Sequence, residues 1–258
     1  MIKNIYKRNG IEVVETWLAR EACKEGDIVY YNDALNEIDH ITSLQEGTTL
    51  IIDLNQTLDD IFNSFSKTNK YEIKKAERDG AIIETYANEA ITEQYLNDYI
   101  EYYEEFHRSK NMGNERRRRF TDRLKYLRAN GNLVITDAKL DNEIVVYHVY
   151  IMDERMVYLF QSCSLYRENK DKRNAIARAN RLLHWKDICY FKEKKLDTYD
   201  WGGYSPDREE VKNISMFKAG FCKVIDRRYL GRGGYARTFK GKIALFFLRV
   251  KSKFYLRR

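Results

Sequence analysis

From residue 132 to 162, apolar and polar residues alternate in three runs, 132–139, 143–152 and 156–162. Leu140-Asp141-Asn142 and a gap opened by Asp153-Glu154 separate them, which is enough chain for tight reversals and nothing more. The runs therefore predict an antiparallel meander. The period then becomes helical over 174–191, where Ile176, Ala179 and Leu183 share a face with Leu182, Trp185 and Cys189 beside them, and residues 196–200 alternate once more. Strand, helix and strand make a crossover, so the third run and 196–200 should be parallel neighbours. A meander that turns parallel through one crossover gives a mixed central sheet flanked by helices. Ligands favour carboxyl strand ends at such a switch, here Ser162 and Asp200.

Downstream of Asp200 the chain reads Trp201-Gly202-Gly203-Tyr204, a turn that lets a ligand approach the backbone. Ser205-Pro206-Asp207 has the composition of a helix start, with a hydroxyl N-cap and the single proline of the chain at the first helical position, so its amides are candidates to hold an anion. Phe217-Lys218-Ala219-Gly220-Phe221 closes the segment, and Gly220 is placed to end the helix. Upstream, 12–17, 27–31 and 48–54 read as short strands, Thr57 starts a helix through Ser66, 69–78 is a second, basic helix, and 81–86 is a strand. Thr92 starts a long helix with an aromatic stripe, Tyr95, Tyr99, Tyr102, Tyr103 and Phe106, and Asn114 precedes another over 115–128. Arg116 to Arg119 point round that helix and cannot all address one ligand.

Four scattered cysteines without a CxxC pair, and four histidines without metal spacing, argue for a reduced, cytoplasmic protein without metal. The first residues lack a signal-peptide core, and no apolar run approaches a membrane span. The formal charge of +7 is concentrated at one end: eleven Lys or Arg and no acid follow Asp226, which leaves residues 1–226 at −4. In that tail Ile243, Phe247, Val250 and Phe254 would share a helix face while Leu245 and Leu248 fall opposite. Such a segment suits an anionic membrane surface, and makes the protein a candidate for peripheral attachment to the inner face of the cytoplasmic membrane; it also suits RNA phosphates, although the net acidity of residues 1–226 argues against a pure nucleic-acid binder.

Three motifs in order carry a family resemblance: 180–188, with Leu183 and Trp185; Tyr199-Asp200-Trp201-Gly202-Gly203; and Phe217-Lys218-Ala219-Gly220-Phe221. With the basic helix 70–80 before them, they resemble the GNAT acyltransferases, in the branch of the FemAB-like peptidyltransferases and the acyltransferases of polysaccharide loci. Cys222 stands where that branch has a glycine. The resemblance spans about residues 50–230 and implies an α/β, GNAT-like single domain: 1–50 an N-terminal β elaboration of it, 51–230 the core, 231–258 a basic, partly apolar extension. It implies N-acyl transfer from acyl-CoA to an amino group on a cell-envelope polysaccharide or peptidoglycan precursor, the acceptor being a nucleotide- or lipid-linked amino sugar. The alternatives are an aminoacyl-tRNA-dependent peptidyltransferase of FemAB type and a non-catalytic membrane-associated adaptor.

Acyl transfer needs an uncharged amine, donors for the developing oxyanion and a proton for the leaving group. Lys218 is the oxyanion candidate, the role the Phe-Lys motif implies; unassisted, a lysine near a helix end is ordinarily a surface residue. Asp200 is a candidate to hold the acceptor ammonium or act as base, with a turn-forming Asp as the plain alternative. Tyr204 is a candidate proton donor among twenty tyrosines. Lys70, Lys74 and Lys75 suit a phosphorylated acceptor, although charge runs more often mark a solvated face. Trp185, Gly202, Gly203 and Phe217 complete the expected substrate site. There is no glycine between Gly131 and Gly202 to cradle a pyrophosphate, so the donor would be met at Lys172 and Arg173 and the amides through Asn174. His148, in an apolar strand, and His184, on a helix, read as hydrogen-bonded core residues.

Overall fold

The computed structural model describes residues 1–112, 117–165 and 171–255, with side chains to residue 248. Asn114, Glu115, Arg116, Arg257 and Arg258 lie outside the described residues. The chain begins with strands β1 (Ile2–Arg8), β2 (Ile11–Trp17), β3 (Ile28–Tyr31) and β4 (Leu44–Asp53), then helices α1 (Leu58–Ser64) and α2 (Lys67–Arg78) and strand β5 (Ile82–Ala87). Helices α3 (Glu93–Ser109) and α4 (Arg117–Ala129) lead to β6 (Leu133–Leu140), β7 (Glu143–Met152) and β8 (Met156–Ser164). Helix α5 (Arg173–Glu193), β9 (Thr198–Asp200), α6 (Lys212–Ala219), β10 (Ile225–Gly231), β11 (Gly234–Ala236) and α7 (Phe239–Tyr255) complete the order.

Two compact units share these elements, residues 49–225 and residues 1–48 with 226–258. In the larger, the strand order is β4-β9-β8-β7-β6-β5. β5 to β8 are antiparallel neighbours, β8 and β9 are parallel, and β4 runs antiparallel to β9. This is the mixed sheet that the change of period dictates. Its core joins Leu50, Ile52, Val157, Leu182, Ile188, Phe191, Tyr199, Trp201 and Phe221, so α5 lies on the strands it connects. Thr57 and Ser66 cap α1 and α2, their hydroxyls accepting from the amides of Asp60 and Asn69.

In the smaller unit the sheet order is β1-β2-β3-β11. β1 is a strand that the sequence reading passed over. It pairs with β2 from Ile2↔Trp17 to Arg8↔Ile11, closed by Asn9 and Gly10 at φ 50° and 74°. Asn-Gly between two alternating runs is a strong hairpin signal, because both turn residues need positive φ.

One expectation fails. No helix starts at Ser205-Pro206-Asp207: the Ser205 carbonyl accepts the Arg208 amide at 3.3 Å and the Arg208 carbonyl accepts that of Val211 at 3.1 Å, which are consecutive turns. Pro206 occupies the second position of the first turn, which its fixed φ suits as well as a helix start. Helix α6 begins only at Lys212, behind Val211, without a side-chain cap. The anion cradle expected at 205–207 is therefore not formed.

Candidate active site

Two irregularities open the sheet at its switch. β8 and β9 pair only from Met156↔Thr198 to Tyr158↔Asp200, after which β8 runs on to Ser164 while β9 ends. On its other side β8 changes register, Val149 facing Gln161 and Tyr150 facing Leu159, so Phe160 is an extra residue. A bulge of this kind leaves one peptide outside the ladder and bends the strand. The strands thus part beyond Tyr158 and Asp200, with the Gly202-Gly203 turn entering beside Leu159.

The end of β9 is fixed by its own side chains. Asp200 is fully buried; its Oδ1 accepts from the Thr49 hydroxyl at 2.5 Å and from the Gly202 amide at 2.8 Å. Gly202 and Gly203 take φ of +63° and +59°, and a Cβ on Gly202 would lie 2.6 Å from the Leu159 carbonyl oxygen. Only glycine lets the turn come so close to β8. From α6 the Lys218 ammonium donates to the carbonyls of Gly202 and Gly203, the latter at 2.9 Å. Loss of hydration brings its pKa down to about 8, the Asp200 charge opposing that shift. A lysine has three donors, so two carbonyls leave one N–H for a further acceptor.

Asp200, Gly202, Gly203 and Lys218 are thus brought together at the split, and Tyr204 follows half-buried against the same core. Phe217 packs 5.5 Å from the His184 ring and under the Arg181 guanidinium at 5.1 Å. Trp185 stands behind, 4.9 Å from Phe62 and 5.7 Å from Phe65, which touches Phe221 at 5.1 Å. Gly220 ends α6 at φ −69°, so it is there for space rather than for a left-handed cap: a Cβ would come 2.7 Å from Asn69 Nδ2. The start of α2 is tied to it by Ser66 N–H donating to the Gly220 carbonyl at 2.8 Å. Lys70 follows on α2, donating to the Asn63 carbonyl at 3.0 Å, and Lys74 sits 5.7 Å over the Phe62 ring. Lys75, half-buried, leaves the same helix. At the other end of the crossover Lys172 precedes α5 without a side-chain cap and pairs with Asp141 at 3.0 Å, which raises its pKa, while Arg173 is exposed.

A buried polar network beneath the split went unread as a unit. His148 Nδ1 donates to Asp187 Oδ2 at 2.8 Å, and its Nε2 lies 2.8 Å from the Asn180 side chain. Tyr150 donates to the same Asp187 oxygen at 2.6 Å and lies 2.9 Å from the Tyr199 hydroxyl, which lies 3.2 Å from His184 Nδ1. Burial drives the His184 pKa well below its ordinary value, helped by His148, Lys218 and Arg181, so the ring stays neutral. His148, His184 and Asp187 lie close enough to share an ion. Both His148 nitrogens and His184 Nδ1 are already engaged, and the network explains these residues as core polar groups. The available signal was Asn180, His184 and Asp187 at i, i+4 and i+7 on an otherwise apolar helix face.

The family described as acetyltransferase (GNAT) domain matches residues 63–212, more than half of the chain. Among solved structures, FemX superposes with a TM-score of 0.58 at 13% identity, over 72% of this chain and 62% of that one. L-PGS from Bacillus licheniformis does so with a TM-score of 0.51 at 15% identity, over 95% and 88%. At such identities the likeness is one of fold, and this chain spans less than two thirds of the FemX chain. No curated protein is detectably similar in sequence.

Proposed function

The chain belongs to the GNAT acetyltransferase family and is an acyltransferase, and from this premise we propose that it moves an acyl group from acyl-CoA to an amino group of a cell-envelope polysaccharide or peptidoglycan precursor. The observation that carries the reading is the split between β8 and β9, with Lys218 held on the Gly202-Gly203 turn at its edge. In this scheme the donor lies along the split, its carbonyl beside the free Lys218 N–H. The amides that open α5, with Lys172 and Arg173, meet its phosphates. The neutral acceptor amine attacks; a C–N bond forms as the C–S bond breaks, the thiolate leaves, and the amine proton passes to it by way of Tyr204 or solvent. Lys218 opposes the charge that gathers on the carbonyl oxygen, in a setting with little water to compete. Asp200 is a positioning residue, acting through Thr49 and the Gly202 amide, and the Lys218 ammonium remains charged beside it. Lys70, Lys74 and Lys75 meet the phosphate of a nucleotide- or lipid-linked acceptor, and Trp185 and Phe217 supply apolar surface.

A second reading takes the acyl group from charged tRNA. The absence of any glycine between Gly131 and Gly202 favours it, because no glycine-rich turn precedes α5 to cradle a pyrophosphate. Incubating the purified protein with extracted envelope precursors and either acetyl-CoA or charged tRNA separates the two. Release of CoA thiol that depends on the precursor supports the first, transfer only from charged tRNA supports the second, and transfer from neither refutes both. The helices described include none long and apolar enough to cross a membrane. Work on a lipid-linked acceptor would place the enzyme peripherally, at the inner face of the cytoplasmic membrane.

A further inference from the structure

Among its described side chains, residues 239–248, helix α7 has two apolar faces, one packed on its own unit and one exposed. Its start is anchored by Thr238, whose hydroxyl donates to Asp27 at 2.7 Å and accepts the Gly241 amide at 3.1 Å. From there Gly241 and Leu245 face the strands of their own unit: a Cβ on Gly241 would lie 2.1 Å from the Asp27 carbonyl oxygen, and one on Gly234 would lie 3.0 Å from Leu245 Cδ2. Leu245, which interrupts amphipathicity when the sequence is read alone, is spent on this packing. The opposite side carries Phe239, Ile243, Phe246 and Phe247 at i, i+4, i+7 and i+8, one continuous stripe. The three phenylalanines are 78%, 63% and 64% exposed, and Ile243 is 45% exposed. Exposed Lys242 flanks the stripe on one side, while Lys240 on the other donates to the Gly10 carbonyl at 2.5 Å and lies 3.7 Å from Asp27; the sequence after Asp226 has eleven basic residues and no acid.

We propose that this outer face of α7 docks on an anionic lipid bilayer, the phenylalanines entering the headgroup and acyl boundary and Lys242 meeting lipid phosphate. A bilayer complements both chemistries the face presents, with apolar depth for the stripe and negative charge for its basic margin. RNA offers the charge without a continuous apolar bed. The inference does not depend on the acyl-transfer reading, and its test needs no activity.

The test is co-sedimentation of the full chain with vesicles of phosphatidylglycerol and phosphatidylcholine, against pure phosphatidylcholine, for wild type and a Phe246→Ser/Phe247→Ser variant. Both side chains are solvent-facing, so the variant should keep the wild-type melting temperature. Binding to the anionic vesicles, weakened by salt and lowered about tenfold or more for each phenylalanine removed, is the expected result. Equal binding by wild type and variant, equal binding to neutral vesicles, or retention by single-stranded RNA in place of vesicles would each overturn the proposal. So would a wild-type dimer that the variant turns into a monomer in sedimentation equilibrium, because a second copy would then be the occupant.

Discussion

Replacing Lys218 with Met tests whether a lysine that the fold holds at a cost is held for chemistry. Its pKa of about 8 lies below the ordinary 10.5, so keeping it charged at pH 7 costs the folded state about 3 kcal/mol. Its hydrogen bonds to the Gly202 and Gly203 carbonyls return about 1.5 kcal/mol or more each, and Met would give up both terms together. They nearly cancel, so Lys218→Met should shift the melting temperature by no more than a few degrees. Turnover should fall about 100- to 1000-fold with substrate dissociation constants little changed, since the lost interaction is made mainly in the transition state. Linkage gives a second signature. The folded pKa is below the unfolded one, so the unfolded chain binds more protons between about pH 8 and 10.5, and this group makes wild-type stability rise with pH across that window. The Met variant should lose that rise. Urea titrations at pH 7 and 10 and steady-state kinetics on one preparation measure both effects. Wild-type turnover in the variant would refute the role of Lys218, and a large loss of stability with a proportionate loss of rate would make it a brace for the turn.

Three further outcomes follow from the same geometry. Gly202→Ala should destabilise the chain by about 2–4 kcal/mol in denaturant titration and abolish turnover, because a Cβ meets the Leu159 carbonyl and φ is positive. Changing Lys70, Lys74 and Lys75 together to Gln should raise KM for a phosphorylated acceptor more than it lowers kcat; unchanged kinetics in a folded triple variant would return these lysines to the solvent face. Asp187→Ala should cost about 3 kcal/mol or more by urea unfolding, because it leaves His148 and Tyr150 buried without their shared acceptor, and a near-neutral result would remove the network from the account of the core.

The sheet was legible because its signals are local and repeat. Three alternating runs with three-residue gaps, one helix and one short run admit little besides the order found, and Asp200-Trp201-Gly202-Gly203 announced its own turn. Pro206 misled because its fixed φ serves a turn and a helix start equally, and the choice was made by contacts that a linear reading lacks. Gly220 ends α6 as its position in the motif implies, but the reason it is glycine, space against Asn69 from a helix about 150 residues earlier in the chain, is not visible in the sequence. Asn9-Gly10 was legible and passed over. The two faces of α7 could not be told apart by sequence, since covered and uncovered stripes are equally apolar; only packing distinguishes Leu245 from Phe247. The helical spacing of Asn180, His184 and Asp187 marks a polar stripe in the sequence, but its partners, His148 and Tyr150 on β7, are set against Asp187 only by the fold.

The central claim is most directly tested by mass spectrometry of an envelope precursor bearing a free amine, incubated with acyl-CoA and the wild-type protein. The account predicts one acyl increment on that amine, matched by one free CoA thiol, and no increment when the amine is blocked beforehand or when the Lys218→Met variant replaces wild type. An increment on a hydroxyl, an increment that the Met variant produces equally well, or none from acyl-CoA at all would contradict it.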